Sequence, residues 1–169
     1  MVRWNYPIFT LLLELLHNMA YTFFLYTHSW IRWVVLIVAI VLVIKSLIGL
    51  FGSKPYQKLD NALSASFVGF MHLQLLIGLV LYFFLSPLTE YAMKDMGSAM
   101  RDGELRFWAV EHLTVMILAI VFAQVGRSIS KRSEDNSVKF RFQAIFFGAA
   151  LLLMIIGIPW GEAVRNFRF

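Results

Sequence analysis

The stretch FWAVEHLTVMILAIVFAQVGRS, residues 107–128, decides the fold because it is almost continuously apolar yet carries Glu111 and His112 near its start. A helix that crosses a bilayer needs about 20 mainly apolar residues, and this stretch is long enough. Ionisable groups inside a bilayer are costly, so the Glu–His pair marks a candidate functional site. Similar apolar runs predict four spans, at about residues 29–51, 62–86, 105–126 and 142–160.

The composition of the chain excludes most soluble classes. Of 169 residues, 60% are hydrophobic and 15% are charged, which is too apolar for a soluble domain of this size. The absence of Cys excludes a disulfide framework, a thiolate metal site and covalently attached haem. We find no phosphate-binding loop, dinucleotide fingerprint or nucleophile elbow. The sequence therefore predicts an all-α integral membrane four-helix bundle.

The distribution of Lys and Arg predicts the orientation of this bundle. Basic residues cluster around the first and third connections, whereas the middle connection balances two basic residues against four acidic ones. The basic residues at the first and third connections are Lys45, Lys54, Lys58, Arg127, Lys131, Arg132, Lys139 and Arg141. By the positive-inside rule, these two connections are cytoplasmic, and the middle connection and both termini face outward. The net charge of +5 thus reflects topology and predicts no nucleic-acid partner.

The first 27 residues allow two interpretations. They are apolar enough to form a helix in the membrane interface, with Glu14, His17 and Asn18 turned to water. They could equally be an upstream extension of a functional chain that begins near Met19. We accordingly divide the sequence into residues 1–27 and a four-span domain, residues 28–169.

Three histidines fall on three different predicted spans, and they predict a cofactor. Neutral imidazoles on facing helices are a common means of holding haem iron or another metal. We predict one non-covalent haem b bound by His72 and His112, with His28 as the alternative ligand. His28 opens its span beside Arg32, a setting more typical of an interfacial anchor. Arg32 and Arg106 are the cations expected to neutralise the haem propionates, with the haem edge facing the outer side.

The predicted depths of the histidines in the bilayer argue against two of them binding the same iron. At 1.5 Å per residue, His112 and His72 lie about 10 Å apart along the membrane normal, and His28 and His112 are separated by a similar amount. Uncertain span ends and helix tilt could halve this difference.

Other interpretations of the same residues stay open. A copper or zinc site could form from His28, His112 and Glu111, or a histidine–glutamate chain could move protons. Glu111 could also bond Arg106 or accept a hydrogen bond from a histidine of another helix. The chain could instead be an accessory subunit that stabilises a respiratory or photosynthetic complex and carries no redox centre.

Four stretches of the chain resemble a group of small four-helix bacterial membrane proteins labelled cytochrome b or cytochrome b-like. They are THSWIRWVVL (27–36), HLQLLIGLVLYFFLSP (72–87), MGSAMRDGELRFWAVEHLTVMILAIVFAQVGRS (96–128) and IGIPW (156–160). The resemblance implies that His28, His72 and His112 are cofactor positions, accompanied by Arg32, Arg106 and Arg127. The first 18 residues fall outside it, which favours the upstream-start interpretation.

These patterns together predict an electron-transfer protein of the bacterial cytoplasmic (inner) membrane. Its expected partners are membrane lipid and either a quinone or a periplasmic electron carrier, with a larger membrane complex as a further expectation. Because no nucleophile, flavin site or nucleotide site is present, we expect an electron carrier or complex subunit more than a stand-alone enzyme.

Overall fold

The computed structural model describes residues 6–160, with side chains described from Ile8 onward, and within that range the chain contains helices and no strand. The α-helices are α1 (Tyr6–Phe51), α2 (Lys58–Val80), α3 (Pro87–Lys94), α4 (Met96–Ala99), α5 (Gly103–Arg106), α6 (His112–Arg132) and α7 (Asn136–Gly157). One π-helical turn, Leu81–Leu85, extends α2, and a second, Phe107–Glu111, joins α5 to α6.

Four helical stretches in residues 6–160 are long and apolar enough to cross a membrane. They are Ile8–Phe51, Lys58–Leu85, Gly103–Arg132 and Asn136–Gly157. The prediction of an all-α chain with four membrane-length helices is therefore confirmed. The last helix begins earlier than predicted because the Asp135 carboxylate caps it, and it ends at Gly157 because Pro159 cannot continue a helix.

The four long helices form a bundle in which α1 and α6 are diagonally opposite. Each of α1 and α6 packs mainly against α2 and α7. The short connection after α1 makes α1 and α2 neighbours, as predicted. Side chains on the inner faces of α1 and α6 consequently meet at the bundle centre.

Helices α3, α4 and α5, which we call the cap (residues 87–106), close one end of the bundle. Pro87 ends the second long helix, as predicted, and opens α3 at its first position. The Tyr82 hydroxyl donates to the Ala109 carbonyl at 2.7 Å, and the Thr89 hydroxyl donates to the Tyr82 carbonyl at 2.7 Å. The first bond joins the two π-helical turns, and the second ties α3 of the cap to the first turn.

The half of the bundle away from the cap is densely packed. Phe67 and Phe147 are fully buried, with ring centroids 5.3 Å apart. Buried alanines let the helix backbones approach closely around them; these are Ala39, Ala119, Ala123 and Ala150. Nearer the first and third connections, the buried Gln143 amide donates to the Tyr56 hydroxyl at 2.7 Å and to the Ser130 hydroxyl at 3.0 Å. This half positions the helices and leaves the space near the cap for a site.

The N-terminal part of α1 continues the first long helix without a break. Helix α1 has 46 residues, so it is about 70 Å long, whereas the hydrocarbon core of a bilayer is about 30 Å thick. Its first turns expose large apolar side chains, such as Ile8 and Phe9. The interfacial location and the upstream start of residues 1–27 stay predictions, and residues 1–5 and 161–169, with both predicted outward termini, lie outside the described residues.

Candidate functional site

A cavity of about 380 Å³ lies inside the half of the bundle nearest the cap. Its walls are mostly apolar, and its floor is formed by Met71, Met154 and Ile120. Among the polar side chains that line this space are His28, Arg32, Gln74 and His112, which come from three helices. Convergent polar groups in an apolar cavity of this size are typical of small-molecule and cofactor sites.

His28 and His112 face each other across the cavity. Their ring centroids are 6.4 Å apart, and their ring planes make an angle of 69°. His28 comes from α1 and His112 from α6, the two diagonal helices. The expected depth difference of about 10 Å between them is therefore wrong. The sequence estimate started the first span at residue 29 and placed His28 at a helix end, whereas α1 runs on through this level.

The His112 ring is held from three sides. Its Nδ1–H donates to the Gly157 carbonyl of α7 at 2.8 Å. The Phe107 and Trp108 rings lie beside it, with centroids 5.8 Å and 5.7 Å from its own. The π-helical turn that contains both aromatic residues ends directly before His112, and such turns are frequent at functional sites. With Nδ1 as the donor, His112 keeps the lone pair of Nε2 available for a ligand.

The His28 side chain rests on one face of α2. The Gln74 amide donates to the His28 backbone carbonyl at 2.7 Å. One turn further along α2, Gly78 leaves room for the ring, because a Cβ at this position would lie 3.2 Å from His28 Cε1. Gln74 and Gly78 therefore fix the position of His28 within the cavity.

Four buried polar atoms of the cavity have no hydrogen-bond partner among residues 6–160. They are His28 Nδ1, Arg32 Nε, Arg32 Nη2 and Gln74 Oε1. Buried polar atoms in native proteins are nearly always bonded, because an unpaired one costs about 1–3 kcal/mol. Unpartnered polar atoms concentrated in one apolar cavity are typical of a site for a ligand that carries polar groups.

The other predicted site residues lie away from this cavity. His72 is exposed on α2, does not line the cavity, and donates its Nδ1–H to the Val68 carbonyl at 2.8 Å. Arg106 forms an ion pair with Glu111, Nε to Oε1 2.6 Å. Arg127 donates to the Ser64 hydroxyl at 2.6 Å in the half away from the cap. The structure thus brings together His28, Arg32 and His112, and leaves the other three apart.

The alternative copper or zinc site receives no support from this arrangement. Glu111 is exposed and paired with Arg106, so it does not join His28 and His112. Within the described part of the chain, no three His, Cys, Asp or Glu side chains are grouped so that they could hold a metal ion. Of the interactions considered for Glu111, the structure contains the bond to Arg106.

Sequence analysis overlooked Gln74 and Gly78. Gln74 did carry a usable signal, since it is a strongly polar residue two positions after His72 in the middle of an apolar span. Gly78 carried none, because its importance depends on which side chain of α1 packs against it.

The resemblance to the cytochrome b-like group stays a prediction. No family model, no curated protein and no solved structure matched this chain in the comparisons.

Proposed function

We propose that this protein is a membrane electron carrier whose cavity would hold one non-covalent haem b, with His28 and His112 as the residues that would bind its iron. The observation that carries the proposal is the His28–His112 pair at the centre of the bundle. Haem, when bound, supplies a one-electron couple, which is chemistry that no side chain of this chain offers by itself.

The separation of the two imidazoles supports a shared iron. An imidazole nitrogen bonded to a first-row metal lies about 2 Å from it, so imidazoles on opposite sides of one iron have centroids about 6 Å apart. The centroids of His28 and His112 are 6.4 Å apart. The bond from His112 Nδ1 to Gly157 is also typical of ligand histidines, because it fixes the tautomer and leaves Nε2 unprotonated.

Arg32 is the residue best placed to neutralise a propionate. Nε and Nη2 form one edge of the guanidinium, and both are buried and unpartnered in the described structure. This edge matches the two oxygens of a carboxylate. Arg106, the other predicted cation, is engaged by Glu111 and by the Met100 carbonyl.

The apolar walls would exclude water and bind the macrocycle. Leu25, Val35, Leu75 and Leu113 line the cavity, together with the Trp108 ring. Burial of apolar surface stabilises a bound ring system by about 25 cal/mol per Å².

The proposed orientation places the cap and the cavity toward the outer side of a bacterial cytoplasmic membrane. The support is the concentration of Lys and Arg around the connections at the other end of the bundle. Either a quinone in the outer leaflet or a periplasmic carrier would then exchange electrons with the site.

A second candidate function is that of an accessory subunit of a larger membrane complex without its own redox centre. The exposed apolar start of α1 favours it, since Ile8, Phe9 and Leu11 are each at least 63% exposed. Large exposed apolar surfaces mark contacts with other proteins or with lipid.

A reduced-minus-oxidised visible spectrum of the purified protein in detergent separates these proposals. We expect a b-type α-band in the wild type, its loss in His28→Ala and His112→Ala, and its retention in the matched control His72→Ala. A wild type without a Soret band despite haem supply contradicts the haem proposal. A colourless protein that co-purifies with large partners supports the accessory function. Loss of the band in His72→Ala with retention in His28→Ala would refute the ligand assignment.

A further inference from the structure

The end of α7 lies very close to α6 at the level of His112. Gly157, the last residue of α7, is buried, and its carbonyl accepts the Nδ1–H of His112 at 2.8 Å. A Cβ at residue 157 would lie 3.0 Å from Val115 Cγ1 and closer still to Met116 Cε. Val115 and Met116 follow His112 by three and four residues, so they lie on the same face of α6 as its ring. This face of α6 therefore leaves room for a residue without a side chain.

The close approach could not survive a side chain at residue 157. The Met116 Cε atom ends a flexible chain and could move aside, but Val115 is β-branched and has one strongly preferred rotamer in a helix. An alanine at residue 157 would therefore push α7 away from α6 by a few tenths of an ångström. The hydrogen bond from His112 Nδ1 crosses the same gap, so it would lengthen.

The residues after Gly157 keep its carbonyl available to His112. The last four carbonyls of a helix have no partner within it, and Pro159 prevents α7 from continuing. In a continuing helix, the Ile155 carbonyl would bond the N–H of residue 159, but proline has none. The indole Nε1–H of Trp160 donates to the Ile155 carbonyl instead, at 2.9 Å. The carbonyls at the end of α7 are thus free to accept side-chain donors.

We propose that Gly157 is the positioning residue of His112: because it has no side chain, α7 approaches α6 closely enough for the Gly157 carbonyl to hold the Nδ1–H of the imidazole. The proposal deepens the haem proposal and rests on it for the role of His112 Nε2. An acceptor at the second ring nitrogen fixes the tautomer of a ligand histidine and raises its basicity. The carbonyl end of a helix is also the negative end of its dipole, so it favours the oxidised, more positively charged state of a bound iron.

Two variants and a control test the proposal on the purified full chain in detergent. Gly157→Ala introduces the obstruction, and the double variant Gly157→Ala/Val115→Ala keeps the alanine but removes the two Val115 methyl groups beside it. Gly148→Ala is the matched control on α7, because a Cβ there would meet nothing within 4 Å. The readouts are the ¹⁵N shifts of histidine side chains without haem, the haem affinity, and the midpoint potential of the loaded protein. The His112→Ala spectrum identifies the His112 signals.

We expect wild-type His112 to be protonated at Nδ1 and Gly157→Ala to contain the Nε2-protonated form. Haem affinity should fall about 10–100-fold in Gly157→Ala, as it does when a ligand histidine loses its acceptor. The midpoint potential should rise, because the ring then gives less electron density to the iron. The double variant should recover the wild-type tautomer and most of the affinity, and Gly148→Ala should change none of the three readouts.

The outcomes distinguish this proposal from the haem proposal. If Gly157→Ala keeps the Nδ1-protonated form and, when loaded, the wild-type affinity and potential, Gly157 is not the positioning residue and haem binding stands. Loss of thermal stability with an unchanged tautomer and potential would show a merely structural role and overturn the proposal. So would a changed tautomer that the Val115→Ala substitution does not restore. If neither the wild type nor any variant binds haem, the haem proposal fails, and the ¹⁵N shifts alone decide whether Gly157 sets the tautomer of His112.

Discussion

Gly78→Ala tests how closely the α2 surface determines the position of His28. A Cβ at residue 78 would lie 3.2 Å from His28 Cε1, inside ordinary van der Waals contact, so the ring has to move by a few tenths of an ångström. Overpacking of this kind costs about 1–3 kcal/mol, whereas replacing Gly by Ala in a helix gains about 1 kcal/mol. The net loss of folding stability should therefore be between about 0 and 2 kcal/mol.

Ligand binding should respond more than folding does. Binding sites need their ligating groups within about 0.5 Å of the productive geometry, and the displaced ring approaches that limit. We expect haem affinity to fall about tenfold in Gly78→Ala, equivalent to about 1.4 kcal/mol. Haem titration followed by Soret absorbance measures the affinity, and thermal unfolding in detergent measures the stability.

Gly69→Ala is the matched control on the same helix. A Cβ at residue 69 would meet nothing within 4 Å, so this variant should bind haem like the wild type and be equally stable or slightly more stable. Equal haem affinity in Gly78→Ala, Gly69→Ala and the wild type would refute the claim that His28 is positioned by the α2 surface.

Three further changes test the packing that holds the site in place. Gly126→Ala should lower stability by about 1–3 kcal/mol, because its Cβ would lie 2.5 Å from Phe146 Cβ, and Gly148→Ala, which meets nothing within 4 Å, should not. Gln143→Leu should cost about 1–3 kcal/mol, since the amide bonds three hydroxyl groups in a buried position. Asp135→Ala should destabilise the start of α7. Hydrogen bonds from the Ser137 hydroxyl and from the backbone N–H groups of Ser137 and Val138 hold the pKa of Asp135 below its usual value. The pKa of Asp135 is lower in the folded state than in the unfolded state. Its carboxylate therefore contributes its full stabilisation above the unfolded-state pKa of about 4, and this stabilisation is lost as the pH falls through the folded-state pKa. Thermal unfolding at neutral and acidic pH measures all three.

Two controls make these measurements specific. Gln124→Leu removes an exposed amide and should leave stability nearly unchanged. Glu134→Ala removes the acid beside the helix cap but keeps the capping Asp135 carboxylate, so it should leave stability nearly unchanged. Equal unfolding temperatures for Gly126→Ala and Gly148→Ala would contradict the close approach of α6 and α7 at Gly126.

The long helices were predictable because apolar run length alone determines them. The ends of the predicted spans 62–86 and 105–126 lie one to six residues from those of the membrane-length helices Lys58–Leu85 and Gly103–Arg132. The end of the second span was predictable from Pro87, which removes a backbone donor. The start of α1 was not, since residues 8–28 contain neither Gly nor Pro and give no signal for where a span begins.

The composition of the site was only partly predictable. Histidines inside apolar spans are a strong signal, and two of the three do line the cavity. Their pairing was not accessible, because it depends on the rotation and level of each helix. His72 looked more central than His28 by span position, yet α2 turns His72 to the outside and presents Gln74 and Gly78 to the cavity.

Anomalous diffraction at the iron edge from crystals of the haem-loaded protein tests the central claim most directly. The account predicts one iron peak within bonding distance of His28 Nε2 and His112 Nε2, at the centre of the bundle beneath the cap. An iron peak at His72, or haem-supplied crystals without any iron peak, would contradict it.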